Sequence, residues 1–259
     1  MSFVLKEISD HIAVLIINRP EALNAMNDKL VADLETAVQS CIVDDNVGVV
    51  IITGAGDKAF VAGADIKKMQ SMGPEDALAF GQSGQHMTLT IENSPKPVIA
   101  AVNGFALGGG CEISMACHIR VASESAFFGQ PEVLLGILPG WGGTQRLPRL
   151  VGPGVANEII TTGRMVTALE AKSIGLVNYV VAPNELMDKC FIIAKQILKN
   201  GPEAVAQSLH CIRKGAGVSR EEGLAIEVEN FSKLFGTDEA KEGLSAFVEK
   251  RKPKFRENA

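Results

Sequence analysis

Chemistry in this 259-residue chain concentrates on two glutamates twenty positions apart, each beside a glycine-rich turn. Glu112 closes the run Pro97-Val-Ile-Ala-Ala-Val-Asn-Gly-Phe-Ala-Leu-Gly-Gly-Gly-Cys-Glu112, and Glu132 closes Phe128-Gly-Gln-Pro-Glu132. Glycine at a helix start is costly in backbone entropy, but it lets another molecule approach bare N–H groups at the positive end of the helix. Phe60-Val-Ala-Gly-Ala-Asp-Ile-Lys67 repeats that arrangement of glycine, small residue and helix start. Paired N–H groups at such turns suit an oxyanion, most of all where charge develops away from water. A carboxylate pair beside them suits proton transfer, one group as base and one as acid. A plain strand-to-helix turn with Glu112 complementing the dipole fits the same residues. Glu132 alone also fits a loop carboxylate after Pro131.

The elements that must position these groups follow from hydrophobic spacing. Residues 3–9 and 11–18 read as two strands around Asp10, ended by Asn18-Arg19-Pro20. Leu30, Val31, Leu34, Ala37, Val38 and Cys41 recur at helical spacing, which predicts a helix from Asn27 to about Val43. Val47–Thr53 and Val98–Val102 are uniformly apolar, as strands buried on both faces are. Further strands are expected at His118–Ala122 and Leu176–Val181. Helices are expected at 74–92, 109–116, 153–162 and 167–174, with another opening at the turn Leu138-Pro-Gly-Trp-Gly-Gly-Thr-Gln-Arg-Leu147. The first part of 68–94, rich in Met, Gln, Gly and Ser, reads as a mobile cover. From Asn184 onward the pattern is helical throughout, near 185–199, 202–215, 219–235 and 238–250. The alternation of strand and helix predicts parallel pairing with crossover connections, hence an α/β unit over 1–182 and a helical unit over 183–259.

Composition narrows the function class. Hydrophobic residues are 46%, charged residues 21% and the net charge is −5, an ordinary globular chain without the basic balance of a nucleic-acid surface. Five cysteines without a Cys-x-x-Cys pair, and four histidines apart from them, favour buried thiols in a reducing compartment over a metal site or disulfide framework. No apolar run approaches membrane-spanning length and the N-terminus lacks a leader pattern, so a cytoplasmic protein with no membrane contact is expected. Gly108-Gly-Gly110 and Gly140-Trp-Gly142 both lack the last glycine of a dinucleotide fingerprint, and no phosphate-binding P-loop occurs. Gly81-Gln-Ser-Gly84 has the wrong spacing for a nucleophile elbow. His118 and His210 read as core-edge histidines, and Lys67 as a solvated helix residue.

The four motifs quoted above, together with Asn18-Arg-Pro-Glu-Ala-Leu-Asn24 and Ala246-Phe-Val-Glu-Lys-Arg-Lys252, resemble the enoyl-CoA hydratase (crotonase) family in order and over nearly the whole chain. That resemblance implies a spiral of ββα units with a C-terminal helical trimerisation region, assembled as a homotrimer or dimer of trimers. It implies an oxyanion hole from the N–H groups of Ala64 and Gly109, with Glu112 and Glu132 activating water and Glu132 delivering a proton to Cα. Ala62, Asp65, Ile66 and Lys67 would contact the coenzyme A of the substrate, and Phe247 and Lys250 that of a neighbouring subunit. Trp141 would shape the acyl pocket, and no cofactor or metal beyond the acyl-CoA thioester is called for. Three departures stand out: Glu21 where many relatives carry Lys, His118 in place of a frequent Asp, and Trp141 in place of smaller residues. Hydration of a short-chain trans-2-enoyl-CoA, or dehydration in reverse, is the expected reaction. An isomerase keeping only the carboxylate at Glu132, or a silent binding member on the same fold, are the competing readings.

Overall fold

A computed structural model describes residues 2–256. The chain enters as an antiparallel hairpin of β1 (Val4–Ser9) and β2 (Ile12–Ile17), turned by Asp10 and His11 at positive φ as a tight hairpin requires. Helix α1 (Asp28–Ile42) starts where the Asn27 side chain accepts the Leu30 N–H, and it buries the apolar stripe expected from sequence. Three turns of one repeating pattern follow. The first turn is β3 (Val49–Gly54), β4 (Ala59–Val61), a short α2 (Ile66–Met69) and the long α3 (Pro74–Glu92). The second is β5 (Val98–Val102), β6 (Phe105–Leu107) and α4 (Gly109–Ala116). The third is β7 (Ile119–Ser123), β8 (Phe127–Gly129), a 3-10 turn at Pro131–Leu135, then α5 (Gly143–Val151) and α6 (Pro153–Thr162).

In every turn the first strand joins one sheet and the second strand joins another. The larger sheet runs β1-β2-β3-β5-β7-β10 and the smaller runs β4-β6-β8-β9, with β9 at Met165–Thr167 and β10 at Tyr179–Val181. This is the expected α/β spiral of ββα units. The larger sheet came out of the apolar runs almost residue for residue. The smaller sheet did not, because its strands are three residues long and too short to show a period. Leu176 and Val177, expected within a strand, are buried turn residues, and pairing begins only at Tyr179.

Both faces of the larger sheet are covered. On β3, Val50 and Ile52 enter the main core with α1, α3 and α4, whereas Val49 and Ile51 face the other way. That second face is sealed by α8 (Leu186–Ile197) through Leu186, Cys190, Ile193 and Ala194. After Val181 the described elements are all helical, but packing does not divide there, because α8 completes the sheet. The segments that extend outward are α9 (Pro202–Gly215), α10 (Arg220–Leu234) and α11 (Asp238–Val248), with α7 (Ala168–Ser173) lying between β9 and β10. Cys41, Cys111, Cys117 and Cys190 are buried free thiols, and Cys211 is half-buried.

Helix α4 is short and wholly buried, so its ends need partners. Its C-terminus is closed by the buried Arg120, whose guanidinium donates to the carbonyls of Ser114 and Cys117, at 3.2 and 2.6 Å, and of Leu176. Its N-terminus abuts the end of β4 so closely that a Cβ at Gly110 would collide with the Val61 carbonyl. Gly110→Ala should therefore lower stability by about 1–3 kcal/mol or more, since neither backbone segment can yield without moving a sheet. Chemical denaturation with an unchanged m-value checks this.

Candidate active site

Parallel strands β4, β6 and β8 lie side by side: Ala59 stands opposite Phe105 and, past a one-residue bulge, Val61 opposite Ala106, while Phe105 pairs with Phe127 and Leu107 with Gly129. Their carboxyl ends consequently form a row, and the residues just beyond them are Ala64, Gly109 and Glu132. Ligands in open parallel sheets sit at such ends. All three, with Glu112 from the first turn of α4, line one cavity of about 410 Å3. Its remaining walls are apolar, chiefly Met69, Met72, Phe80, Leu135, Leu138 and Trp141.

Among the described residues, neither the Ala64 nor the Gly109 N–H donates to a protein acceptor. For Ala64 the cause is local. The neighbouring Gly63 carbonyl and Asp65 N–H are both taken by Met26, which turns the N–H between them the other way. For Gly109 it is the helix start, where the first N–H has no intrahelical partner. Gly108 precedes it at φ +52, and the Glu132 Oε1 would stand 3.0 Å from a Cβ there, so glycine admits both the turn and the carboxylate.

The two glutamates share the cavity but not their surroundings. Glu112 is 1% exposed, and its Oε1 accepts the Trp141 and Gly143 N–H groups, each at 2.7 Å. Both donors converge on one oxygen and leave Oε2 without a protein donor among the described residues. Burial pushes the Glu112 carboxyl above its ordinary range, opposed by the two N–H donors and by the charge of Arg146. Burial pushes Glu132 up to about 7, and the nearby Glu112 adds to this while only Glu132's own N–H opposes it. Its Oε2 is buried with no hydrogen-bond partner. Two adjacent carboxylates in one apolar site cannot both ionise freely. Glu112, whose burial is offset by two N–H donors and the Arg146 charge, is the better placed to carry the negative charge, while Glu132, pushed up to about 7, keeps much of its proton near neutrality.

Trp141 lines the cavity, but most of its ring is packing. It sits edge-to-face on Phe80 at 5.2 Å between ring centres and fills a slot over Gly84 of α3 and Gly109 of α4. Side chains at either glycine would occupy the ring's space. Ala62 and Ile66 line the cavity too, whereas Asp65 is held by Arg19 at 2.8 Å, which keeps its carboxyl below the usual carboxylate range. Lys67 is exposed outside the lining. Phe247, 83% exposed on α11, and Lys250 just after it lie away from this chain's cavity. Glu21 is an exposed carboxylate 4.0 Å from Arg19. His118 pairs with β5, its Nδ1 accepting the Val98 N–H at 2.9 Å, and burial pushes its pKa down to about 4.

Sequence reasoning passed over the groups that hold the Gly140–Gly143 turn. Gln85, Thr88 and Glu92 stand at i, i+3 and i+7, hence on one side of α3. Gln85 donates to the Gly140 carbonyl at 3.0 Å, and Glu92 pairs with Arg146 at 2.7 Å. The polar stripe on the second half of the expected 74–92 helix was the available signal.

Three comparisons place this geometry among known proteins. The sequence profile of the family described as "Enoyl-CoA hydratase/isomerase" matches residues 7–258. The chain is 49% identical over 252 residues to "Crotonyl-CoA hydratase" of Syntrophomonas wolfei, covering 97% of each chain. It is 49% identical over 249 residues to "Short-chain-enoyl-CoA hydratase" of Clostridium acetobutylicum, covering 96% of this chain and 95% of that one. A crystal structure of an enoyl-CoA hydratase from Bacillus anthracis superposes with a TM-score of 0.95 at 41% identity, over 98% of this chain and 99% of that one.

The raised Glu132 pKa has a cost that can be measured. Between the ordinary value of 4.5 and about 7 the folded protein binds more protons than the unfolded chain, so stability falls as pH rises through that window. Glu132→Gln should raise Tm by about 2–5 °C at pH 8, and the difference should close as the pH drops toward 4.5. Thermal melts of both proteins across pH check it.

Proposed function

The chain belongs to the enoyl-CoA hydratase/isomerase family, and from that premise we propose that its cavity adds water reversibly across the trans-2 double bond of a short-chain enoyl-CoA. The observation that carries this reading is the pairing, in one cavity, of two unpartnered N–H groups with two unlike carboxylates. A thioester carbonyl placed between the Ala64 and Gly109 N–H groups gains most from them as negative charge moves onto its oxygen. Glu112, ionised, takes a proton from water while the water oxygen bonds to Cβ. The double-bond electrons shift to the thioester oxygen, and the resulting enolate takes a proton at Cα from Glu132. The proton on Glu112 then returns to Glu132 through water, which restores both groups.

Coenzyme A enters this scheme as part of the substrate, and the scheme calls for no separate cofactor. Ala62, Ile66 and Lys67 are proposed to meet the coenzyme A moiety along the α2 side of the cavity. Asp65 is proposed to act there through its ion pair with Arg19, which fixes the turn after Ala64. The bulk of Trp141, locked over Gly84 and Gly109, supports a preference for short acyl chains, as do the names of the two 49%-identical relatives. A lone carboxylate at Glu132 would suit an isomerase better, and the firmly held Glu112 speaks for the hydratase.

A trimer-based assembly is part of the proposal. In the single chain Leu224, Val228 and Phe231 of α10 and Phe235 at its C-cap are each more than half exposed, and Phe247 and Val248 follow on α11. Such a stripe needs cover, and a second copy supplies it. Light scattering at micromolar concentration should give a multiple of the trimer mass, and a monomer mass would refute the assembly.

The chemical reading is tested on the glutamates. Glu112→Gln and Glu132→Gln should each slow crotonyl-CoA hydration by about 10²–10⁴-fold, with binding of a coenzyme A ester preserved. The double variant should retain far more activity than the product of the two losses allows, because the pair acts as one unit. Near-normal hydration by Glu112→Gln would move the isomerase reading ahead.

A further inference from the structure

The turn that grips Glu112 is itself held, peptide by peptide. The Trp141 N–H belongs to a peptide unit whose other end, the Gly140 carbonyl, accepts Gln85 Nε2 at 3.0 Å. The Gly143 N–H belongs to one whose carbonyl, on Gly142, accepts the Gln145 and Arg146 N–H groups at 3.0 and 2.8 Å. Between them, the Trp141 carbonyl accepts Thr88 Oγ1 at 3.1 Å and an Arg146 guanidinium nitrogen at 2.8 Å. A second guanidinium nitrogen of Arg146 is paired with Glu92 at 2.7 Å, and the fork rests on Gly142, where any Cβ would displace it. Peptide units bonded at both ends polarise one another and resist rotation.

We propose that Arg146, braced by Glu92 and assisted by Thr88, is a positioning residue that fixes the two N–H donors on Glu112 and thereby its orientation and charge. The proposal rests on reading Glu112 as the base of the hydration reaction. Arg146 touches neither the cavity nor its contents; it acts through the Trp141 carbonyl, and its positive charge also favours the ionised Glu112. Few other groups can imitate that effect. Glu132 faces Glu112 from the 3-10 turn, and the cavity behind the turn presents Glu92, His118, Arg120, Arg149 and Arg213. Of these, His118 is held by burial at a pKa of about 4.

Three variants test it: Arg146→Met, Arg146→Lys and Glu92→Gln, each assayed by crotonyl-CoA hydration across pH and by hydrogen exchange of the 139–145 amides. Arg146→Met should lower kcat about 10- to 100-fold, as expected for losing a charge-assisted hydrogen bond, with KM nearly unchanged. Its acid limb in kcat/KM should move to higher pH, and the 139–145 amides should exchange faster while the sheet amides do not. Arg146→Lys should return the limb toward its original pH but recover only part of kcat, because an ammonium cannot hold Glu92 and the carbonyl in one fork. A kcat loss with the limb unmoved and the amides still protected would overturn the proposal, as would full activity. If Arg146→Met does not fold, Glu92→Gln, altered at the more exposed end of the pair, decides it: unchanged pH profile and exchange refute the clamp. An unaltered protein that fails to hydrate crotonyl-CoA would refute the hydratase reading instead, and the exchange measurement would still decide whether the clamp exists.

Discussion

The register of three short parallel strands is the constraint on which the site depends. Because β4, β6 and β8 end in line, the residues just past them fall side by side although they are separated by 45 and 23 positions in sequence. Each strand end contributes something different: an N–H at Ala64, an N–H and a helix start at Gly109, a carboxyl group at Glu132. The larger sheet and its two covering layers supply the rigidity that three-residue strands cannot supply alone.

Electrostatic asymmetry follows from that placement. Both glutamates are driven toward the neutral form by the same apolar walls, yet only Glu112 receives compensation, from two N–H groups and a nearby guanidinium. Glu132 receives almost none, and an uncompensated buried carboxyl is a destabilising feature in any ordinary core. On the proposed mechanism, that lost stability is exchanged for a proton available near neutral pH. The same division of labour explains the turn at Gly140–Gly143. Its peptide groups are spent on fixing one carboxylate oxygen, so that the other, Oε2, is left for the cavity.

Much of this was legible in the chain itself. Uniform apolar runs marked the larger sheet, helical spacing marked α1, and the glycine turns with Glu112 and Glu132 marked residues that line one cavity. What the sequence hid was of two physical kinds. Strands such as Phe105–Leu107 are shorter than any periodicity, so the second sheet, which aligns the site, had no one-dimensional signal. Long-range polar contacts were equally silent: Thr88 reaches the Trp141 carbonyl and Glu92 reaches Arg146 across more than 50 residues. The glycines were noticed for the access they allow a ligand, but two of them act inward as well. Gly110 admits the end of β4, and Gly109 seats the Trp141 ring.

The central claim is that the Ala64 and Gly109 N–H groups and the two glutamates act on one thioester. A crystal structure of the Glu132→Gln protein with crotonyl-CoA tests it most directly. The account predicts the thioester oxygen about 2.7–3.1 Å from both nitrogens, with Cβ facing a water held by Glu112 Oε2 and Cα facing residue 132. A thioester bound with its carbonyl away from those N–H groups, or with Cβ out of reach of Glu112, would contradict it.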